Sequence, residues 1–349
     1  MRRHALRTSP ALWLILGAVM VAVLAAAPTS AHAAADDATT CDEASGEVAI
    51  AACNRGLASG RYQGHDLAAL HYNRGFEYRR KNDFERAVAD YDEAIRLDPQ
   101  YDHAFYARGN VWMDKHDPDR AIADYNAAIR IDATHAEVFY SRGNAWVAKG
   151  DRASAIADYG EAIALDPKDA DSHLNRGNVF EANGDYDGAI ADYNEAIRLA
   201  PADPTPLSNR GAAWHLKGDD DRAIADYGAA LRLDPNDACA LYNRGIAWSH
   251  KGDNDRAIAD YDAAIRIAPN YAAALNNRGL AWGDKGDADR AIADYSAALR
   301  AAPRFAPALF NRGVAKVNRG DRAGGEADIA AARAIKPDIA PGYAETETK

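Results

Sequence analysis

An Arg-Gly pair recurs every 34 residues through most of this chain, and this interval constrains the fold more than any other feature of the sequence. Eight copies follow one another without insertion or deletion, and their arginines are Arg74, Arg108, Arg142, Arg176, Arg210, Arg244, Arg278 and Arg312. A fixed period of about 20 to 50 residues indicates one supersecondary unit stacked on copies of itself, because a single unit cannot bury its own apolar face. The sequence therefore predicts one continuous array of eight units.

Each unit carries small and aromatic residues at fixed places. The eighth residue is Gly and the twenty-seventh is Ala in all eight units, the twenty-fourth is Tyr in seven, and the thirty-second is Pro except at Ala133. This pattern resembles the tetratricopeptide repeat (TPR), and the resemblance covers 272 of the 349 residues. It implies an all-α fold, an alpha-alpha superhelix (TPR solenoid) of antiparallel helical hairpins. The units are 68–101, 102–135, 136–169, 170–203, 204–237, 238–271, 272–305 and 306–339.

The residues before the first unit predict an export signal and a cap. Residues 1–33 combine a basic start, an apolar run and the small-residue cleavage site Ala31-His32-Ala33, which predicts a signal peptide and an exported, periplasmic or extracellular protein. The alternative is an uncleaved N-terminal anchor. Residues 34–67 are predicted to be a polar segment, unstructured as far as residue 44, and a capping helix. Residues 340–349 are predicted to be a disordered tail.

The chain has three cysteines. Cys41 and Cys53 are the only plausible pair, and an exported protein meets an oxidising compartment, so a disulfide between them is favoured. The alternative is that Cys53 is merely a small apolar side chain in the capping helix.

Each unit is predicted to form helix A over its first fourteen residues and helix B from about its seventeenth to its thirtieth. Gly at the fifteenth place suits the end of helix A, and Asp at the sixteenth suits the N-cap of helix B. The Arg at the seventh place and an Asp at the twenty-third lie level in such a hairpin, so eight Arg-Asp pairs are expected. An anion-binding row of arginines is the less favoured alternative. The aromatic eleventh residues, including five tryptophans, are predicted to be core.

No motif for chemistry is present. The sequence lacks G-x-S-x-G, H-E-x-x-H, C-x-x-C, the P-loop and G-x-G-x-x-G, so we expect no catalytic residue, no cofactor and no metal site. A net charge of -11 without a basic cluster argues against nucleic acid as a partner. No membrane insertion of the mature chain is expected either.

The inner face of helix A, which lines the concave groove in TPR proteins, carries recurring amides and tyrosines. Asn at the sixth place resembles the asparagine ladder in the repeat arm of the O-linked N-acetylglucosamine transferases, where amides hold the backbone of an extended peptide. The alternative is that Asn is only tolerated on a solvated face. The predicted groove residues are Asn73, Asn110, Asn144, Asn175, Asn178, Asn209, Asn243, Asn277, Asn311, Tyr72, Tyr106, Tyr140 and Tyr242.

These features favour a non-enzymatic scaffold that binds an extended segment of another protein. Two alternatives stay open at this point. The chain could be the targeting arm of an enzyme assembly whose catalytic subunit is a separate chain, or a structural spacer of the cell envelope with an empty groove.

Overall fold

The structure is a computed structural model that describes residues 30–339, with side chains described from Asp37 onward. The predicted tail at 340–349 and all but the last four residues of the predicted signal peptide lie outside this range. No helix within the described range is long and apolar enough to cross a membrane.

All regular secondary structure between residues 30 and 339 is α-helical. The helices are α1 Ser30–Glu43, α2 Gly46–Ala58, α3 Gly64–Arg80, α4 Phe84–Leu97, α5 Asp102–Asp114, α6 Pro118–Ile131, α7 Ala136–Lys149, α8 Arg152–Leu165, α9 Ala170–Ala182, α10 Tyr186–Leu199, α11 Thr205–Leu216, α12 Asp220–Leu233, α13 Ala238–His250, α14 Asn254–Ile267, α15 Ala272–Asp284, α16 Ala288–Ala301, α17 Ala306–Asn318 and α18 Arg322–Ile335.

The helices fall into two compact units, one ending at Leu97 and one beginning at Asp98. In the first unit α1 packs on α2 and α3, and α3 forms a hairpin with α4. The second unit contains seven further hairpins, from α5 with α6 to α17 with α18, and each packs against the next. The described helices therefore follow the predicted alternation of helix A and helix B.

The segment at 34–44 differs from the sequence prediction, because residues 34–43 are helical rather than unstructured. A disulfide joins Cys41 to Cys53, which is the pairing that the sequence favours. Cys41 is buried against α2 and α3, and the Arg55 guanidinium pairs with Asp37. These contacts hold α1 on the capping helix α2. The sequence of α1 does not follow the repeat pattern, so the pattern could not indicate this helix.

The turn between the two helices of a hairpin is built as predicted. Gly150 has a φ of 85°, and the two turns without Gly place Asn82 and His116 in the same left-handed region, with φ of 59° and 58°. The Asp that follows caps helix B: the Asp151 carboxylate accepts a hydrogen bond from the Ser154 backbone N–H. Such caps stabilise a helix by about 1 kcal/mol each.

The eighth-place glycine accommodates an aromatic ring rather than a neighbouring backbone. A Cβ on Gly245 would lie 2.6 Å from the Tyr261 ring, and Tyr261 is almost fully buried. Only the last hairpin brings two backbones together, because Ile329 replaces this Tyr there and a Cβ on Gly313 would lie 2.7 Å from the Gly325 carbonyl oxygen. The buried aromatic layer of the solenoid is therefore the tyrosine of helix B.

The eleventh-place tryptophans are only partly buried, so the prediction that they form the core is wrong in that respect. A cationic side chain from helix B covers the outer face of the ring: the Arg120 guanidinium lies 3.9 Å from the Trp112 ring centroid, and Arg256 lies 4.5 Å from that of Trp248. The rings still pack against the core on their other side.

Candidate functional site

The predicted Arg-Asp pairs are confirmed in every hairpin. Arg244 donates from Nε to Asp260 Oδ2 at 2.7 Å and from Nη2 to Asp260 Oδ1 at 2.6 Å. The other seven pairs have the same two-bond geometry at 2.6 to 2.8 Å. Each arginine guanidinium is bound by a carboxylate within its own hairpin, which argues against the alternative that the arginines bind an external anion.

The same arginines also join neighbouring hairpins. The third guanidinium nitrogen, Nη1, of Arg142 donates to the Asn126 side chain, and that of Arg210 donates to the Asn194 side chain, both on helix B of the preceding hairpin. The row of arginines therefore stabilises both the hairpin and the stack.

Two of the paired carboxylates have a resolved electrostatic shift. Burial alone would raise the pKa of Asp90, but hydrogen bonds from Arg74 and His71 outweigh burial and hold this pKa below its usual range. Burial likewise opposes a low pKa at Asp328, and hydrogen bonds from Arg312 and Lys316 lower it nevertheless. These aspartates are ionised at neutral pH and belong to the fold rather than to a reactive site.

The candidate binding face is the side of each helix A formed by the second, fifth, sixth, ninth, twelfth and thirteenth residues. These places share one side of a helix because each residue turns the chain by about 100°. On α7 the face consists of Glu137, Tyr140, Ser141, Asn144, Val147 and Ala148. We call this surface the helix-A face.

Most sixth-place amides bond to the preceding hairpin. The Asn175 Nδ2 donates to the Tyr140 hydroxyl at 2.9 Å, and the Asn209 Nδ2 donates to Asn178 Oδ1 at 2.8 Å. Ser141 occupies the same place in α7 and lies 3.3 Å from the Tyr106 hydroxyl. The ladder that the sequence predicts for a peptide is thus in large part a row of hydrogen bonds between hairpins.

The ninth-place amides bond within their own hairpin. The hydroxyls of Tyr125, Tyr159 and Tyr193 donate to Asn110, Asn144 and Asn178 respectively, at 2.7, 2.6 and 2.9 Å. These bonds satisfy the buried end of each core tyrosine and orient each amide. The half-buried Asn110 and Asn144 and the exposed Asn178 still border the helix-A face.

Three predicted groove residues are buried and are therefore removed from the site. Tyr242 is 1% exposed, and Asn277 and Asn311 are each 4% exposed. The Tyr271 ring packs on Tyr242 with centroids 4.9 Å apart, and the Asn277 Nδ2 donates to the Tyr242 hydroxyl at 3.1 Å. Asn311 donates to Asn276 in the same way. A partner cannot reach side chains that the adjacent hairpins cover.

The two predicted groove residues of the first unit make local contacts. Asn73 Nδ2 donates to Asp42 Oδ1 at 3.1 Å, and the Tyr72 ring lies 5.8 Å from that of Tyr91. The N-terminal helix α1 supplies the Asp42 carboxylate, so Asn73 is engaged by the cap.

One amide and two apolar side chains stand out on the accessible part of the helix-A face. Asn243 is half-buried, and the preceding hairpin has Ser208 and Ala212 at the two places where others present a Tyr or Asn acceptor. Val147 and Leu216 are 45% and 43% exposed. The recurring amides and tyrosines did not indicate these two residues; their apolar bulk at places twelve and thirteen of the repeat was the available signal.

Comparisons with known proteins agree with this architecture. Two family models described as Tetratricopeptide repeat match, one at residues 140–204 and 217–272 and the other at 272–305, and one described as TPR repeat matches 75–115. No curated protein matches the chain significantly.

Solved structures share the fold at low sequence identity. The C-terminal part of a TPR repeat-containing protein from Cytophaga hutchinsonii is 20% identical with a TM-score of 0.59, covering 68% of this chain and 98% of that one. A chain of the APC/C hetero-tetramer Cut9-Hcn1 is 17% identical with a TM-score of 0.53, covering 84% and 57%. PilF of Pseudomonas aeruginosa is 18% identical with a TM-score of 0.52, covering 59% and 94%.

These matches indicate no catalytic family, and together with the paired helices they confirm the all-α TPR solenoid fold. The chain belongs to the tetratricopeptide repeat family.

Proposed function

We propose that this protein is a non-enzymatic scaffold that binds an extended segment of another protein. The binding site is the helix-A face of the second compact unit, which begins at Asp98 and contains seven hairpins. The observation that carries the proposal is a contrast between two kinds of places in the repeat, those that build the hairpin and those on the accessible face. The places that build the hairpin are nearly constant, whereas the accessible face presents Tyr106, Tyr140, Asn243, Val147 and Leu216. TPR proteins bind other proteins and peptides through such faces.

Side-chain amides alone would give little affinity. A hydrogen bond to a peptide contributes about 1 kcal/mol net, whereas association costs about 4 to 15 kcal/mol. Burying an apolar side chain such as Val147 or Leu216 contributes about 1.5 to 3 kcal/mol. We therefore assign the main anchoring to these two residues and to the half-buried Tyr106 and Tyr140. Amides such as Asn243 orient the backbone of the client.

The charge of the helix-A face indicates which client sequences are complementary to it. In the second unit the helix-A face carries five carboxylates and neither Lys nor Arg; they belong to Asp114, Glu137, Asp171, Glu181 and Asp284. An extended segment that alternates apolar and basic residues is complementary to this surface. Its affinity should fall as salt is raised, because exposed charges are screened within about 10 Å at 0.1 M salt.

A photo-crosslinking residue placed on either side of the hairpins tests the site. Leu216 on helix A and Leu233 on helix B belong to one hairpin and are 43% and 44% exposed, and Val147 and Leu165 form a second pair at 45% and 41%. We expect the probe at 147 and 216 to capture a common client by its extended segment, and the probe at 165 and 233 not to capture it. Equal capture from both faces would reject the site.

The identity of the captured chain separates scaffold from targeting arm. A single catalytic subunit captured at fixed stoichiometry would favour the targeting arm of an enzyme assembly. Clients that share only an extended basic and apolar segment would favour the scaffold. If neither face captures a chain in cells, the structural spacer is the better account.

We also propose that the protein acts outside the cytoplasm. The Cys41–Cys53 disulfide supports this, because disulfides form and persist in oxidising compartments. Mass spectrometry of protein isolated from the periplasm and medium is expected to find a mature N-terminus just after Ala33 with Cys41 and Cys53 linked. A chain that is found only in the cytoplasm with both thiols free would contradict it.

A further inference from the structure

A cluster of two histidines and one aspartate lies where two neighbouring hairpins of the second unit meet. His215 lies in the last turn of α11, Asp220 is the first residue of α12, and His250 is the last residue of α13. His215 and Asp220 belong to one hairpin and His250 to the next. His215 occupies place twelve of its repeat and His250 occupies place thirteen of the next. Both places belong to the helix-A face, so the cluster borders that face.

The Asp220 carboxylate stands between the two imidazole rings. His215 Nδ1 lies 2.6 Å from Asp220 Oδ1, and His250 Nδ1 lies 3.9 Å from Asp220 Oδ2. The ring centroids are 4.7 Å apart, and one potential ligand atom from each residue lies within 4.8 Å of the others. Each oxygen of a single carboxylate thus faces a different imidazole nitrogen.

The repeat itself does not require these residues. At the other five contacts between neighbouring hairpins of the second unit, the same three places hold Met113, Pro118 and Ala148; Val147, Arg152 and Ala182; Glu181, Tyr186 and Leu216; Ser249, Asn254 and Asp284; and Gly283, Ala288 and Asn318. Only one contact combines two imidazoles with a carboxylate. The packing of the solenoid is achieved at every other contact without them.

The surroundings favour a cation. The side chains of His215 and Asp220 are largely shielded from solvent, at 14% and 17% exposed. Burial, followed by the charges of Glu181 and Asp220, raises the pKa of the Tyr227 hydroxyl well above its usual range. Arg222 pairs with Asp219 and Lys251 pairs with Asp221, so Asp220 is the one carboxylate of this run that faces the two imidazoles.

We propose that His215, Asp220 and His250 bind a divalent transition-metal ion of the zinc class. Imidazole nitrogen and carboxylate oxygen are the ligands that zinc takes at about 2.0 to 2.2 Å, and three protein ligands leave a fourth position for water or a client side chain. Tetrahedral ligands at that distance are about 3.3 Å apart, so His250 moves inward on binding. Its side chain is 60% exposed and free to do so.

The bound ion would connect two adjacent hairpins at the edge of the helix-A face. This inference does not depend on peptide binding, since the three ligands come from this chain. Mg²⁺ and Ca²⁺ prefer oxygen ligands and are not expected to bind here.

The test is zinc titration by calorimetry on a full-length background from which a second cluster of potential ligands and an exposed thiol have been removed. A second group of potential ligands, Asp102, His103 and His135, and the exposed thiol of Cys239 could also take zinc. The background therefore carries His103→Asn, His135→Asn and Cys239→Ser. We expect one zinc ion per chain, a higher Tm with zinc, an absorption spectrum of four-coordinate cobalt when Co²⁺ is used instead, and no response to Mg²⁺.

Variants of the three ligands decide whether this cluster is the site. In that background, His215→Asn and His250→Asn are each expected to weaken zinc binding by at least about ten- to hundredfold. His65→Asn, which changes an exposed histidine elsewhere, should leave it unchanged. Because His250 is exposed, its variant should fold even if the His215 variant does not. Absence of zinc binding in the background, or equal affinity in the His250 variant, would overturn the proposal.

Discussion

The sixth and seventh residues of each repeat are adjacent in sequence yet behave in opposite ways. The seventh is an arginine in all eight hairpins, and each one binds the same aspartate of helix B through two hydrogen bonds. The sixth is Asn, Ala or Ser, and its surroundings range from the half-buried Asn243 to the buried Asn277. One place is constant in both sequence and environment, and the other is constant in neither.

This difference indicates which places of the repeat tolerate substitution. The arginine must satisfy a nearly buried carboxylate, and an uncompensated buried charge is strongly destabilising, so every hairpin repeats the pair. The sixth place faces the preceding hairpin and, where it is accessible, the solvent, so it can be altered one hairpin at a time. Binding specificity in such a stack is therefore expected on the helix-A face, while stability resides in the arginine row.

Acid should produce the largest effect, because it removes carboxylate pairs and caps throughout the solenoid at once. The folded pKa values of Asp90 and Asp328 are held low, as are those of the caps Asp117 and Asp151. A lowered folded pKa adds stability above the unfolded value of about 3.9, and that stability is lost as pH falls through the folded pKa. Urea midpoints should therefore be similar at pH 7 and 5 and much lower at pH 3. A decline that is complete by pH 5 would show that other groups control stability.

Replacing one arginine should produce the next largest effect. Arg244→Leu leaves the Asp260 carboxylate, which is 10% exposed, without its two charge-assisted hydrogen bonds. We expect a loss of about 2 to 3 kcal/mol in the free energy of unfolding, measured by urea denaturation.

Asp260→Asn in the Arg244→Leu background is the matched control. It removes the unpaired charge and should recover part of the loss, so the two substitutions should be strongly non-additive. Additive effects would mean that the Arg244–Asp260 pair is not what stabilises this hairpin.

Much of the arginine row and the turns could be predicted from sequence, because they depend on contacts within one period. Arg244 and Asp260 lie at matching distances from their turn, and the turn residues act on their own backbone. Burial of Tyr242 could not be predicted in this way. It depends on Tyr271, at the last place of the same repeat, where only the first repeat also has a Tyr, and on Asn277 in the next hairpin. The helix α1 was missed because it has no counterpart in the repeat.

A methyl group added at Gly245 should destabilise the hairpin moderately. Its Cβ would lie 2.6 Å from the buried Tyr261 ring, and overpacking of this kind typically costs about 1 to 3 kcal/mol. Gly228→Ala is the matched control, because the atom nearest to its Cβ would be Arg244 Nη1, at 3.7 Å. That change should stabilise α12 by up to about 1 kcal/mol, since Ala is the better helix former. If both variants had the same Tm, the fit of ring to glycine would not limit packing.

The smallest effects should come from two asparagines that share one place in the repeat. Asn277→Ala removes the buried hydrogen bond to the Tyr242 hydroxyl and should cost about 1 to 2 kcal/mol. Asn243→Ala removes an amide that faces Ser208 and Ala212, so the free energy of unfolding should change by no more than about 0.5 kcal/mol.

The same pair of variants separates a binding amide from a packing amide. Asn243→Ala should weaken binding of the crosslinked client segment at unchanged stability, because the amide is half-buried and lies opposite Ser208 and Ala212 rather than a Tyr or Asn of the preceding hairpin. Asn277→Ala should leave client affinity unchanged at temperatures where the variant is folded, because its side chain is out of reach. Suppose instead that client affinity measured by calorimetry falls for Asn277→Ala and not for Asn243→Ala. The sixth place would then act through the alignment of neighbouring hairpins, and the contrast between the arginine row and the helix-A face would be one of degree only.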